Sequence, residues 1–369
     1  MMELDLRGIP AVDAHCHLFQ VEPRDVDVAK TLSLSLEDMP RDQLENTLVY
    51  KAYLKEMARF LGTSGSPAEI MEARAMRANS DYQRFVQDLF LDGGIEHLVV
   101  DLGYKPASVS LDAFEALVPA GISYVFRIEG VLDEGWNERR GFEETERALL
   151  DALEEARHQG VVAVKTIIGY RTGVGVRRTT RGEAKEAYDA GQPKPYRDYF
   201  FCLTLGKCLE YGLPLQVHAS FGESNIDLLR NNPLLLKEVL DDPEFKKATI
   251  VMVHGGYPYS FEAGYLLAMY PNLYLDVSEM IPFVPLGAGR GIASLMDMAP
   301  LGKVMYGSDG FIIPDLHWYA AVTARRCLGR VLGEIVERGL LEEDEALAVA
   351  RDVMAGTARR VFGLKDSKP

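Results

Sequence analysis

Histidine is scarce in this chain, with 7 in 369 residues, and cysteine is scarcer still, with 4. The cysteines (Cys16, Cys202, Cys208 and Cys327) form no CxxC pair and no disulfide-like framework, which suits a reducing compartment. Positive charge is also short. The 40 Lys and Arg against 55 Asp and Glu leave a formal charge of −15, which argues against a nucleic-acid partner. No run approaches the roughly 18 apolar residues of a membrane span. The opening MMELDLRGIP is acidic and lacks the apolar centre of a signal peptide. No internal repeat or low-complexity tract is visible. These absences lead to the expectation of a cytoplasmic enzyme with no membrane partner. What the chain does have is apolar residues, 47% of the total, enough for a sizeable core. Its length fits two average domains or one large barrel with insertions.

The scarce histidines are not scattered. His15 and His17 flank Cys16 at the end of a short apolar run, and side chains two apart on an extended strand share a face. Two imidazoles held together in this way point to a divalent metal. Later apolar runs end in further metal-ligand types: VVAVK at Lys165, LPLQVH at His218, TIVMVH at His254 and VMYGSD at Asp309. Together these describe a metal site assembled from strand ends. Neutral imidazoles and carboxylates suit zinc and similar first-row ions. Cys16, on the opposite face, reads as core. His97, His158 and His317 read as structural, His158 lying in the last turn of a helix, where the dipole favours a cation.

Strand patterns fall at 11–15, 95–101, 122–128, 161–167, 213–218, 249–254, 273–277 and 303–306. Amphipathic helical patterns follow most of them, at 143–158, 199–211, 226–240, 261–269 and 316–338. Near-continuous apolar strands alternating with helices imply a parallel sheet covered on its outer face. Eight of them imply an α/β fold, a (β/α)8 TIM barrel, with its active site at the C-terminal strand ends, where the ligand types sit.

Two segments break the rhythm, yet neither reads as a separate domain, so residues 1–369 are expected to form a single barrel domain. The first connection is far longer than an ordinary βα loop of roughly 2–6 residues. Helical patterns at 41–61, 67–79 and 81–92 lead us to expect a helical lid over about 31–92. The second segment, about 172–197, is rich in Gly, Arg and Pro and is expected to run over the barrel mouth. The pattern at 345–364 predicts a final helix packed outside the barrel.

Taken in order, His15-x-His17, Lys165, His218, His254 and Asp309 resemble the metal-dependent amidohydrolase superfamily, in its amidohydrolase-related branch. KTIIGYRTG, VHASFGESNIDL, VHGGYPYSFEAGYLLAMYPNLYLDVS and YGSDGFIIPD are similar to the hydrolase half of nodulin–glutamine synthetase fusion proteins, whose relatives include γ-glutamyl amide hydrolases. The resemblance covers nearly the whole chain, and no glutamine synthetase portion is expected. It departs at Gly310-Phe311-Ile312, where a polar run would be expected, so specificity is expected to differ if that run contacts substrate.

The resemblance implies one or two ions. In a two-metal version His15, His17 and Asp309 hold one and His218 and His254 the other, with Lys165 bridging as a carbamate. In a one-metal version His15, His17, His218 and Asp309 hold the ion and His254 serves as acid or electrophile. Either version supplies a nucleophilic water at neutral pH, and Asp309 is placed to pass a proton from it to the leaving group. Without a carbamate, Lys165 would pair with a substrate carboxylate.

Substrate charge is read from arginines. Arg127 ends the third strand pattern, and Arg171, Arg177, Arg178 and Arg181 follow the fourth. Guanidinium groups at a pocket mouth suit a carboxylate. Arg127 and Arg171 are the favoured contacts, the other three serving equally well as solvated surface. Tyr257, Tyr259, Phe283 and Trp318 are candidates for the pocket wall, and Asp227 and Glu279 for an amino group. The expected activity is hydrolysis of an amide in a small carboxylate-bearing molecule, a γ-glutamyl amide among the candidates. A metal-dependent decarboxylase or lactonase is the alternative, and a silent barrel kept as an assembly partner is disfavoured by the intact ligand set. Homo-oligomerisation is left open.

Overall fold

In the computed structural model, which describes residues 2–104, 106 and 109–365, the strand patterns become eight parallel strands paired in sequence order. They are β1 (Ala11–Cys16), β2 (Ile95–Asp101), β3 (Gly121–Arg127), β4 (Ala163–Thr166), β5 (Leu215–His218), β6 (Ile250–Val253), β7 (Leu273–Asp276) and β8 (Val304–Met305). The Ala14 N–H donates to the Tyr306 carbonyl at 3.0 Å and the Asp309 N–H to the His15 carbonyl at 2.8 Å, so the last strand returns to the first. The fold is a (β/α)8 TIM barrel. Most strands are shorter than their apolar runs, because the flanking residues belong to the turns into and out of the helices.

The interior has an apolar lower half. Val12, Ala14, Val99, Val125, Ala163, Val251 and Met305 pack together, and Ala355, Ala358 and Phe362 join them from below. The C-terminal segment therefore does more than pack outside the barrel. It forms a helix at Glu343–Arg351, a wider turn at Asp352–Gly356 and a last helix at Thr357–Phe362. The Val353 carbonyl accepts from the Tyr306 N–H at 2.7 Å, fastening this floor to β8. Above it, the register of β1 against β2 shifts between Asp13 and Cys16. At that irregularity the inward face passes from Val12 and Ala14 to the two histidines, a use of strand irregularity common beside active sites.

The long first connection is helical, but only its beginning roofs the cavity, and its helices lie beside the barrel. The expected helix at 41–61 is two, Arg41–Glu45 and α1 (Leu48–Leu61). The break falls where the Thr47 hydroxyl caps α1 by accepting from the Tyr50 N–H. α2 (Pro67–Ser80) opens with a Ser66/Glu69 capping box, and α3 (Tyr82–Gly93) is capped by Asp81. Their apolar faces pack sideways on α4 (Pro314–Glu337), through Tyr53, Phe85, Trp318 and Tyr319. Beneath them Arg74 holds Asp315 through Nε (2.9 Å) and Nη2 (2.6 Å), and the Tyr53 hydroxyl donates to Asp315 Oδ1 at 2.9 Å. Only the stretch before these helices, Lys30 to Leu36, reaches the cavity at the barrel mouth.

Two further expectations are corrected. The segment 172–197 does not run over the mouth. It forms a helix at Arg181–Asp189, opened by a Thr180/Glu183 capping box, and the start of another at Pro193–Tyr211, both on the barrel's outer side. Arg178 pairs there with Asp242 and Glu244, Arg181 with Glu146 (2.8 Å) and Lys185 with Glu143 (2.6 Å). The expected helix at 226–240 is broken into turns at Leu228–Asn231 and Pro233–Leu236 and a short helix at Lys237–Asp241. Pro233 lacks an N–H and disfavours helical geometry in the residue before it, while the Asn232 side chain caps the Leu234 N–H.

Candidate metal centre

Strand ends bring His15, His17, Lys165, His218, His254 and Asp309 onto the wall of one cavity of about 500 Å³. Loops set the last two. His254 (φ 73) directly follows β6 and Asp309 (φ 54) lies just beyond β8, both in the left-handed region. Such backbone is strained for residues with a Cβ and clusters at functional sites.

The hydrogen bonds of the four imidazoles fix their protons. His15 Nδ1 lies 3.1 Å from Gln216 Oε1, and Gln216 Nε2 donates to the Ala14 carbonyl at 2.9 Å, so the Gln216 oxygen must accept. His15 Nδ1 therefore carries its proton. His17 Nδ1 faces the Asp101 carbonyl at 3.1 Å and does the same. His218 donates from Nε2 to the Phe221 carbonyl at 2.8 Å. His254 Nδ1 lies 2.9 Å from the Ser278 hydroxyl, which is itself committed to Asp276. In its neutral form each ring therefore presents its other nitrogen as a lone pair: Nε2 of His15, His17 and His254, and Nδ1 of His218.

Those lone pairs meet an acceptor. His15 Nε2 and His17 Nε2 each lie 3.4 Å from Asp309 Oδ1. Two ligands about 2.0–2.1 Å from a tetrahedral ion lie about 3.4 Å apart, so the spacing and the donor set fit a divalent cation. Donor atoms of His15, His254 and Asp309 lie within 4.8 Å of one another, as do those of His15, His17 and Asp101 and of His218, His254 and Glu279. Burial lowers the His15 pKa to about 4 and holds His218 and His254 well below the usual range, so these rings are neutral at pH 7. Burial pushes the Asp309 carboxyl up, and positive charge on the histidines around it, where they carry a second proton, pulls it well below the usual range.

Lys165 is almost fully buried, with Nζ 3.2 Å from His15 Nε2. Burial lowers its pKa to about 8, so a substantial fraction is neutral amine near pH 7–8. The expected arginine contacts divide. Arg127 and Arg171 line the cavity, but each already holds a carboxylate through Nε and Nη2, Asp101 for the first and Asp133 for the second. Arg177, Arg178 and Arg181 lie outside it, on surface carboxylates.

Glu279 lines the cavity, whereas Asp227 and Tyr259 do not. Asp227 is spent capping the turn at Leu228–Asn231, and Tyr259 leads into the helix at Ser260–Met269. The expected aromatic wall is also replaced. Trp318 is buried against Phe60 and donates to Asp92, and Tyr257 packs on Phe221. The aromatic rings on the cavity are Tyr104, Tyr170 and Phe311. Phe311 and Ile312, from the segment that departs from the family pattern, make part of the wall apolar. Gly222 admits Tyr170, since a Cβ there would lie 1.9 Å from its hydroxyl oxygen. The roof is the Lys30–Leu36 stretch, joined to the β5 loop by the Ser224 N–H donating to the Leu34 carbonyl (3.1 Å).

Gln216, Asp101, Ser278 and Asp276 were missed as functional from the sequence. Gln216 and Asp101 had a signal, one lying two residues before His218 on the same strand face and the other ending the β2 pattern.

A barrel whose strand ends carry a carboxylate among imidazole lone pairs defines a class, the TIM-barrel hydrolases of the amidohydrolase type. The amidohydrolase family model matches residues 12–364, and the chain belongs to this family of enzymes. It is 29% identical over 229 residues to Protein fluG of Emericella nidulans, a match covering 57% of this chain and 26% of that protein. The chain thus spans about a quarter of that relative's length. A structure described as a metal-dependent hydrolase from Lactobacillus casei superposes with a TM-score of 0.87 at 24% identity, covering 98% of both chains. Uronate isomerase from Thermotoga maritima superposes at 0.68 with 16% identity, over 96% of this chain and 95% of that one. Both likenesses concern the fold. No helix among the described residues is long and apolar enough to cross a membrane.

Proposed function

We propose that this enzyme hydrolyses an amide C–N bond in a small carboxylate-bearing molecule, with a γ-glutamyl amide as the first substrate to test. The carrying observation is the convergence of the His15 and His17 lone pairs on Asp309 Oδ1, each at 3.4 Å. That arrangement of acceptors calls for a divalent cation, zinc first, held by His15, His17, His218, His254 and Asp309, with Lys165 at its edge. When bound, the ion supplies Lewis acidity toward water and the scissile carbonyl.

The chain's own residues do the rest. Asp309, as the carboxylate, accepts a proton from the attacking water as its oxygen bonds to the amide carbon. It returns that proton to the nitrogen as the C–N bond breaks. His254, oriented by Ser278 and Asp276, keeps Nε2 toward the reacting centre. The neutral amine of Lys165 can add CO₂ and release a proton, giving a carbamate that extends the ligand set; unmodified, it faces a substrate carboxylate. Arg127 and Arg171 each keep Nη1 outside their ion pairs, that of Arg171 also donating to the Tyr170 carbonyl at 3.4 Å, and these form a donor edge for that carboxylate. The scattered thiols, all free, fit the reducing cytoplasm this reading assumes.

Metal analysis of the purified protein, followed by incubation with γ-glutamyl amides, tests the proposal. Stoichiometric metal and release of amine with glutamate are expected, both lost on chelation. Carbamylation of Lys165 would make metal loading depend on bicarbonate. Release of CO₂ from an aromatic acid, with no amide turned over, would replace this reading with a decarboxylase.

A further inference from the structure

The guanidinium groups on the cavity wall each hold a carboxylate of their own, Arg127 on Asp101 and Arg171 on Asp133. Glu279 is in the opposite condition. It is 2% exposed, lines the cavity, and its Oε2 has no hydrogen-bond partner among the described residues. A buried carboxylate is kept when something pairs with it. The nearest ionisable nitrogen, His254 Nδ1 at 3.7 Å, directs its proton to Ser278.

The backbone holds Glu279 there at a cost. Its φ of 54° and ψ of −50° lie in a region that residues with a Cβ seldom occupy. The same cavity is lined by Glu223, hydrogen-bonded to Tyr170, and by Asp309, whose neighbour Ser308 accepts from the Glu279 N–H at 3.4 Å. Carboxylates gathered on one cavity call for a compensating cation. A second metal is a poor candidate for that cation. The edge of His254 nearest Glu279 is its N–H, and the lone pair is on Nε2.

We propose that Glu279 binds a protonated amino group of the substrate, so that the amide cleaved here belongs to an amino-acid-like molecule carrying both an ammonium and a carboxylate. This assignment rests on the amide-hydrolase reading above for its chemistry, though not for its geometry. The ammonium would donate to Oε2 as a charge-assisted hydrogen bond, while the carboxylate met the arginine edge.

The test uses the metal-loaded enzyme and two ligands that differ by one ammonium group, L-glutamate and glutarate, in calorimetric titration. Wild type is expected to prefer L-glutamate by on the order of 10- to 100-fold. Glu279→Gln should keep its metal and lose that preference, through weaker glutamate binding and unchanged glutarate binding. No detectable glutamate binding by wild type, equal affinity for the two ligands, a preference surviving in Glu279→Gln, or loss of metal from that variant would each overturn the assignment. Hydrolysis of γ-glutamyl anilide and glutaric acid monoanilide separates it from the reading it rests on. If neither anilide is cleaved yet the glutamate preference is present and lost in the variant, the hydrolase reading fails and the ammonium site stands.

Discussion

Two of the buried charge clusters in this chain differ in one instructive respect. Under the helical insertion, Asp315 receives two hydrogen bonds from Arg74 and one from Tyr53, so the bound charge is answered within the protein. At the barrel mouth, Asp309 faces two imidazole lone pairs, and Glu279 keeps an oxygen with no partner among the described residues. Asp315 and Glu279 are almost fully withdrawn from water, and Asp309 mostly so. The balance of donors and acceptors separates a cluster that holds the fold together from one built to receive something. The same contrast runs vertically through the barrel, whose floor of Val12, Val99, Val125, Val251 and Phe362 is apolar and complete.

Exchanging the residues at each cluster puts this contrast at risk. The largest effect is expected from Asp309→Asn, which should cut turnover by about 10²- to 10⁴-fold, the usual worth of a general acid–base group, while thermal stability stays close to wild type. A variant that retained wild-type turnover would dissolve the distinction from the catalytic side. Asp315→Ala should behave in reverse. It leaves Arg74 charged, buried and unanswered, so a loss of about 3–5 kcal/mol is expected in denaturant unfolding, with metal content per folded molecule unchanged. A change below about 1 kcal/mol would mean that the Arg74–Asp315 pair contributes little.

A finer test lies between the clusters. Gln216 touches no reacting atom, yet it sets the His15 tautomer. Gln216→Leu should weaken metal binding by about 10- to 100-fold in a chelator competition, with little change in the unfolding of the metal-free protein. Unaltered metal affinity would show that the His15 lone pair does not depend on that amide. The smallest effect is expected at Asp92. Burial raises its carboxyl, and hydrogen bonds from Arg59 and Trp318 more than reverse that, leaving it below the ordinary range. A carboxylate held low contributes stability above its unfolded pKa of about 3.9 and loses it as pH falls through the folded value. Because Arg59 is half-exposed, the Asp92→Asn difference should be below about 1 kcal/mol near neutrality, should begin to fade below about pH 4 and should vanish only below the folded-state pKa. A difference that did not diminish at all as pH fell from about 5 toward 2 would assign the effect to packing instead.

Much of this molecule was legible before folding was considered. The eight strands stood out because a strand buried on both faces must be apolar along its run, and that is a property of neighbouring residues. The ligand types at 15, 17, 165, 218, 254 and 309 stood out because a parallel barrel delivers the C-terminal ends of all its strands to one place. The arginines were legible only in part, for an equally physical reason. How much of a guanidinium is left for substrate depends on which carboxylates reach it, and Asp101, Asp133, Asp242 and Glu146 come from other parts of the chain. The insertion misled because an amphipathic helix shows that it has an apolar face without showing what will cover it.

Local pattern by itself determined the barrel, the strand ends and the six candidate ligands, since periodicity and order along the chain are enough to specify them. Only the tertiary structure decided which nitrogen of each histidine is bare, which carboxylates are answered and which is left facing the cavity. Those outcomes depend on Gln216, the carbonyls of Asp101 and Phe221, and Ser278, groups brought within about 3 Å of a ring by folding. Hydrogen-bond and charge balance are properties of distance in space, and distance along the chain does not encode them.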